Sequence, residues 1–528
     1  MDSSKIKALI IVVLALCFAL YLGITAATAQ LEALIWVGGG IFITTCFLLG
    51  RHIWVLIPPM VILQGYVNAL PGAPPPWALA TAVVAGLYAI RFATRHHNFV
   101  FRWDWLDFAI LLQMLAVGQA FLRNPTGLLM LGGDTAGGKP YFVFAAVGLA
   151  YACLSITRPT EKAIRWVIYS TVALGILDGI VLVLNDYSPA FAQACLRIYG
   201  GNIGAAVSGQ ALDIEDTRGG YGMGVLGKNL LLPLFCILPT IRCIIPFWII
   251  PFTLTLLGSA LTLLGGYRSG VAYFVLLFSA AAIIRKRYLD IVLAGVVGLL
   301  GLLAILGSGN TDKLPFGVQR ILTVVGANVR TDVQASADDS SNDRFEVWET
   351  VLTQKGYIQN KWLGDGFSIS AREQQAILDS AVRGISTQMG LDTFKEFCLA
   401  TGNYHGFHVE TIRHTGALGL ACAIFVMVIL FRKSSQLIRH FRGQSIFGQV
   451  IYICLPVMIY LFWSLLVFGS YKTDFPKILL AAGLIKMLDN LRQTQLTNAS
   501  NVDANHKQNQ SSVPANHKSN GTHPIKHD

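Results

Sequence analysis

Apolar runs about as long as a lipid bilayer is thick recur from the start of the sequence almost to its end. Nothing else in the chain limits the fold so strongly. A hydrocarbon core about 30 Å thick takes about 20 helical residues to cross. The runs fall near 8–27, 31–50, 53–70, 77–92, 105–122, 140–156 and 164–184, then near 229–241, 244–264, 270–285 and 288–307. After a long polar stretch come 411–431, 447–469 and 476–490. Few of them alternate with period two, which favours helices over a barrel, the other arrangement that satisfies every backbone polar group in lipid. Only 13% of the 528 residues are charged and 54% are hydrophobic, too little charge to cover a soluble domain of this size. The expected fold is an all-α integral membrane protein, a polytopic bundle of about 12–14 transmembrane helices with a helical external cap. The lower figure applies if short runs such as 229–241 only dip into the bilayer.

The net charge of +11 does not point to nucleic acid, because the basic residues sit in short clusters between apolar runs. Lys5 and Lys7, Arg51, Arg91 with Arg95 and Arg102, and Arg158 with Lys162 and Arg165 fall on one side. Arg285-Lys286-Arg287 and Arg432-Lys433 with Arg439 and Arg442 fall on the same side, while the opposite short loops around 28–30 and 71–76 carry no Lys or Arg. The positive-inside rule makes these clusters, and both termini, cytoplasmic, and the long polar segments 187–228 and 309–405 external. The chain divides into a transmembrane bundle over 1–308 with its external loop, a periplasmic cap over 309–405 and C-terminal transmembrane helices over 406–492. Residues 493–528, rich in Asn, Ser, His and Lys, read as a disordered cytoplasmic tail. Lys5, Lys7, an apolar run and Ala27-Thr28-Ala29 resemble a cleavable secretory signal, but an uncleaved first helix fits a polytopic chain better. The nine cysteines form no CxxC pair. Cys17, Cys46, Cys236 and Cys454 lie in apolar runs, and only Cys195 and Cys398 fall in external loops.

The insertion at 309–405 carries folding signals of its own. Asp343 with Glu346 resembles a capping box, and Phe345, Trp348, Val351 and Leu352 follow at helical spacing, so an amphipathic helix should open there. Gly364 and Gly366 predict a turn over 362–367, and Ser370 with Glu373 predicts another helix near 371–383. A structureless loop of this length would be uncommon, which suggests a functional cap.

Four groups on the external side carry chemistry. Arg268 lies in Gly-Tyr-Arg-Ser-Gly between two apolar runs, where an arginine is costly unless it meets water, a carboxylate or a phosphate. A snorkelling interfacial arginine is the competing explanation. Arg218 and Lys228 flank a glycine-rich stretch whose backbone could cradle an anion, although a flexible entrance loop has the same composition. Arg344, at the expected start of the cap helix, could hold phosphate there or simply be solvated. His405, His408 and His414 stand where the cap re-enters the membrane. The first two would share a helix face if the helix already includes them, and neutral imidazole can accept a proton near pH 7. No carboxylate has convincing ligand spacing, so neither a metal nor another cofactor is expected.

The order of these pieces resembles the O-antigen ligase and polymerase superfamily. It runs from Arg218 ahead of Asn229, through Tyr267-Arg268-Ser269-Gly270, to Arg344-Phe345-Glu346-Val347-Trp348. Leu363-Gly364-Asp365-Gly366 then precedes the histidines, with Gly416 and Gly419 entering the next helix. The resemblance covers roughly 200–435; the family's Ser-Arg-Gly is Tyr-Arg-Ser-Gly here, and its His-Asn is His405-Gly406. It implies a multi-pass glycosyltransferase of the bacterial inner membrane. The enzyme would take a glycan from an undecaprenyl-pyrophosphate carrier and pass it to an acceptor glycan or lipid A core. In that family external arginines hold the pyrophosphate and a histidine activates the acceptor hydroxyl. The corresponding residues here are Arg268, Arg344, Arg218 and, with the glycine-rich stretch, Lys228 for pyrophosphate, and His405 or His408 for the hydroxyl. The charge logic agrees: leaving diphosphate gains negative charge that fixed guanidinium groups stabilise, and a single displacement would invert the anomeric centre.

A polymerase of the same superfamily would use the same residues. A protein-directed oligosaccharyltransferase fits less well, since no Trp-Trp-Asp motif is present and Asp338-Asp339 lies in a Ser-rich stretch. A lipid or sugar transporter is the alternative of another class, with Asp178 inside an apolar run as a coupling carboxylate. No GxxxxGK[ST] loop exists to drive it with ATP.

Overall fold

The computed structural model describes residues 49–63, 65–67, 74–94, 99–125, 137–188, 199–201, 221–369, 404–466 and 469–511, with a few isolated positions between them. The protein is an all-α polytopic membrane bundle, as the apolar runs require. Its helices are α1 (Ile57–Ile62, entered through a 3₁₀ segment), α2 (Pro76–Ala93), α3 (Trp105–Arg123), α4 (Lys139–Ser155), α5 (Glu161–Tyr187) and α6 (Tyr221–Ile237). There follow α7 (Ile249–Leu264), α8 (Arg268–Ile284), α9 (Tyr288–Gly307), α10 (Phe316–Leu322), α11 (Thr331–Thr353), α12 (Phe407–His440), α13 (Phe447–Leu466) and α14 (Phe475–Ser511). Among the described residues, α2, α3, α5, α9, α12 and α13 are long and apolar enough to span a bilayer. Helices α4, α6, α7 and α8 are apolar but shorter, about 25 Å at 1.5 Å per residue, and would need local thinning or flanking polar side chains. The expected segments over residues 8–48 lie outside the described residues, apart from four positions.

Two ends of the bundle are distinguished by chemistry. At the basic end Arg442 donates to the Ile284 carbonyl (2.8 Å), Ser445 to Glu161 (2.9 Å) and Asn490 to the Ser155 carbonyl (2.6 Å). Here a dense ion-pair group joins α3, α12 and α14. Lys486 Nζ lies 2.7 Å from Asp104 and 2.6 Å from Asp107, and Lys433 Nζ lies 2.8 Å from Asp104 and 2.7 Å from Asp489. Asp104 also caps α3, accepting from Leu106 N, while Asp107 accepts from Asp104 N and from the Tyr151 hydroxyl. Exposed Trp103, Trp105, Trp166 and Phe247 ring this end, as aromatic residues do at a membrane–water boundary.

The opposite end carries the cap. Helix α9 leaves the bundle there, and α10 and α11 follow it. Thr331 opens α11, which runs unbroken to Thr353. The capping box expected at Asp343 is therefore absent: Asp343 sits inside the helix, because the Ala-, Asp- and Ser-containing stretch before it continues the helix instead of stopping it. The helix begins instead just after Arg330, whose guanidinium pairs with Asp332 at 2.6 Å. At the chain's other extreme, α14 stays helical through Ser511, well past the point near Gln493 where the polar tail was expected to leave the helix. Its last firm anchors are Arg492 to Asp489 (2.7 Å) and His440 to Gln495 (3.1 Å). Residues 512–528 are outside the described set.

Candidate functional site

The cap docks on the first turn of α12, and small residues determine how closely. Val347, Val351, Tyr357, Ile358, Cys398, Tyr404 and Val409 form a compact apolar cluster between α11 and α12. Trp348 Nε1 donates to the Tyr404 carbonyl (2.9 Å), and the Trp348 ring meets the His408 ring edge-on at 4.8 Å. A Cβ on Gly406 would collide with the Trp348 indole, so only glycine permits this approach. Arg344 is one turn before Trp348 on α11 and so faces the same way. It belongs to a mid-helix position, and the helix-N-terminus phosphate site expected for it does not exist. Arg344 instead lies within electrostatic reach of Cys398, whose thiol burial pushes up to about 12.

The histidines separate. His405 precedes α12 with φ of 50°, a left-handed conformation uncommon outside glycine, and His408 lies in the first turn of α12. They do not share a helix face, because the helix starts only at Phe407. His414 is buried deeper. Its Nδ1 meets the Gly366 carbonyl at 2.8 Å, and since a carbonyl only accepts, Nδ1 carries the proton. Nε2 is then a buried lone pair with no hydrogen-bond partner.

Helix α12 is broken at Gly416 (φ 75°), and the predicted 362–367 turn fills the break. Asp365 N donates to the Arg413 carbonyl and Gly366 N to the His414 carbonyl, both 2.9 Å. Ala417 N donates to the Lys361 carbonyl (2.8 Å) and Leu418 N to that of Trp362 (3.2 Å). The turn thus supplies the bonds that the interrupted helix cannot make for itself. Gly364 and Gly366, at φ of 71° and 73°, allow the close passage. Asp365 is held by the Gln359 and Asn360 amides at 2.7 and 2.9 Å and lies 3.5 Å from Arg413, while Arg123 of α3 donates to the carbonyls of Leu363 and Gly364.

Arg268 opens α8 directly after the left-handed Gly266 (φ 70°). Two close approaches bind this turn to its neighbours. A Cβ on Gly317 of α10 would sit 2.9 Å from Gly266 Cα, and one on Gly265 would sit 2.8 Å from Gly224 Cα of α6. Gly224 also meets the Tyr267 ring. Lys228 is one turn along α6 from Gly224 and on the same face. Arg218 lies outside the described residues. The turn bearing Arg268 is therefore fixed between the helix bearing Lys228 and the cap helix α10, which packs on α11 and through it on the start of α12. The described candidate residues fall in two places, Arg268 and Lys228 by the turn between α7 and α8 and Arg344, His405 and His408 by the docking of α11 on α12, linked through α10.

Sequence reasoning missed a polar group at the start of α14. Fully buried Glu410 on α12 accepts from Ser470 Oγ (2.7 Å) and Tyr471 N (2.8 Å), and its Oε1 has no hydrogen-bond partner. The loop it anchors carries Lys472, whose Nζ reaches the Gly402 carbonyl at 3.1 Å, and Asp474, which lies 4.0 Å from Lys477. Lys228, on the exposed side of α6, follows one turn after Gly224. The only sequence signal was four charged residues, Lys472, Asp474, Lys477 and Glu410, beside apolar runs.

No protein-family model matches the chain, and no curated protein matches it in sequence. No group of three or more His, Cys, Asp or Glu side chains among the described residues is placed to hold a metal ion.

Proposed function

We propose that the protein is a membrane glycosyltransferase that moves a glycan from an undecaprenyl-pyrophosphate carrier to an acceptor hydroxyl, at the outer face of a bacterial inner membrane. The observation that supports this reading is that Arg268 and Lys228 lie by the turn into α8, and Arg344, His405 and His408 by the docking of α11 on α12, with α10 packed between those two places. In the reaction the acceptor oxygen attacks the anomeric carbon, and the bond from that carbon to the diphosphate oxygen breaks. The hydroxyl proton passes to the imidazole of His405 or His408, and the carrier leaves as the diphosphate anion. Cations held in place beside the leaving group stabilise that anion more than water would, because they are oriented before the charge develops. A carrier whose lipid stays in the bilayer would present its headgroup near the ends of the spanning helices, where cationic side chains can meet it.

The test is transfer from a lipid-pyrophosphate glycan to an acceptor by the purified protein. Arg268→Ala and Arg344→Ala should each remove turnover while leaving expression and folding intact; full activity in both would remove the proposed phosphate site. A His405→Ala protein with the wild-type rate would move the base role to His408. The surface glycan of a deletion strain separates the two enzyme readings: accumulated lipid-linked polymer indicates a ligase, single repeat units a polymerase. Asp178, buried with Oδ2 unpartnered, supports a transporter as the second reading. Substrate movement across reconstituted liposomes without bond exchange would establish that reading instead.

A further inference from the structure

We infer that Lys472, in the loop ahead of α14, is a positioning residue that holds the backbone at His405 in place for the transfer step. The inference rests on the proposed function for the role of His405, and on hydrogen bonds around the start of α12 for its placement. His405 lies just before that helix with a left-handed φ of 50°, which a residue other than glycine keeps where its surroundings enforce it. Two side chains from other elements fasten the backbone ahead of it. Trp348 Nε1 of α11 donates to the Tyr404 carbonyl at 2.9 Å, and Lys472 Nζ donates to the Gly402 carbonyl at 3.1 Å. Gly402 is itself left-handed, at φ of 65°, so the chain turns where the ammonium meets it.

Lys472 can act as a fixed post because its own loop is tied on both sides. Ser470 Oγ and Tyr471 N donate to Glu410 at 2.7 and 2.8 Å, and Ser470 N donates to Asp474 at 3.0 Å. The Tyr471 hydroxyl accepts from Gln113 of α3 at 2.6 Å. The rings of Tyr471 and Phe475 lie 6.0 and 5.5 Å from that of Phe407, the first residue of α12. Lys472 is buried, and a buried ammonium is costly unless it is hydrogen-bonded and opposite charge stands near it. Glu410, fully buried and bonded to the two residues before Lys472, supplies that charge. With the Gly402 and Tyr404 carbonyls both fastened, the His405 imidazole projects from a set place. A base that must meet an acceptor hydroxyl depends on this, since a misplacement of about 1 Å can cost about 100-fold in rate. Lys472 acts through His405 and is given no contact with substrate.

The experiment uses full-length protein in nanodiscs and compares the wild type, Lys472→Met and Lys472→Arg, with thermal unfolding as the check on folding. Two quantities are read: amide hydrogen exchange over residues 404–407, and kcat and KM for transfer from a lipid-pyrophosphate glycan. Lys472→Met should speed exchange there and lower kcat by about 10- to 100-fold, with KM for the carrier near its wild-type value. Lys472→Arg, which keeps a charged donor, should restore most of both. Unchanged exchange in a folded Lys472→Met protein overturns the positioning role, as does faster exchange with a wild-type kcat. A rise in KM alone overturns it too, by placing Lys472 in substrate binding. Should Lys472→Met not fold, Ser470→Ala removes one of the two bonds to Glu410 and must show the same pattern at smaller size; unchanged exchange there overturns the inference. Faster exchange in Lys472→Met, in a protein whose wild type transfers no glycan, keeps Lys472 as the holder of this segment and ends the glycosyltransferase reading.

Discussion

Replacing Lys486 with methionine tests how the basic end holds the bundle together. Lys486 is 1% exposed, and its ammonium contacts Asp107 (2.6 Å), Asp104 (2.7 Å) and the Arg102 carbonyl (2.7 Å). Methionine fills the same space without the charge, so the cost comes from the partners left behind rather than from a cavity. Removing one member of a buried ion pair costs about 3–5 kcal/mol, because the other charge stays out of water. Asp104 keeps Lys433 at 2.8 Å, and Asp107 keeps the Tyr151 hydroxyl at 2.7 Å. The lower end of that range, about 3 kcal/mol, is therefore expected. Neutralising the orphaned carboxylate with Asp107→Asn in the same protein should recover roughly half of it, since the amide oxygen can still accept from Asp104 N, the amide NH2 can donate to the Tyr151 hydroxyl oxygen, and the unpaired charge is gone. The assay is denaturant unfolding of the detergent-solubilised protein at pH 7, followed by tryptophan fluorescence. A loss below about 1 kcal/mol, or a double variant no more stable than Lys486→Met alone, would refute the view that Lys486 neutralises these two carboxylates.

The same ion-pair group sets a pH dependence. Burial alone would raise the Asp104 carboxyl, but hydrogen bonds from Lys433 and Lys486 overcome it and hold the group at about 2, against an ordinary value of 3.8. A carboxyl depressed by folding contributes stability above its unfolded pKa and loses it as the pH falls through the folded one. About 2 kcal/mol should therefore disappear between roughly pH 5 and pH 2. A melting temperature that stays flat across that window would contradict the assignment. At the cap, Gly406→Ala should force the Trp348 indole off α12 while leaving the membrane helices folded. Faster proteolysis of residues 331–353 together with lost glycan transfer is the expected pair of readouts. A cap that stays protected would show that Trp348 can repack around a methyl group.

The membrane fold was legible because apolar run length is a local property. The segments expected at 105–122, 164–184, 288–307 and 447–469 return as α3, α5, α9 and α13 with ends shifted by only a few residues. The Gly364 and Gly366 turn was legible for the same reason: two positive-φ glycines announce themselves in sequence. The start of α11 was not, because Asp343 and Glu346 fit a capping box equally well at the start or in the middle of a helix, and only the fold of the preceding stretch decides. Glu410 and Lys477 escaped notice for a different reason. Each is a single charge near an apolar run, and only the fold shows that Glu410 anchors the short loop ahead of α14, on which Lys477 follows. His405 and His408, three residues apart, looked like a pair; the helix boundary at Phe407 separates them.

The seam where residues 361–366 enter the gap in α12 makes the outer layer of the protein inseparable from the part embedded in lipid. Excising that segment would strip partners from amide and carbonyl groups on both sides of Gly416, and hydrocarbon offers no replacement for them. A shortened protein without its extramembrane layer should fail to insert a stable α12 rather than persist as a bare bundle. The point of attachment is therefore fixed by the backbone of α12 itself, whatever the rest of that layer contains.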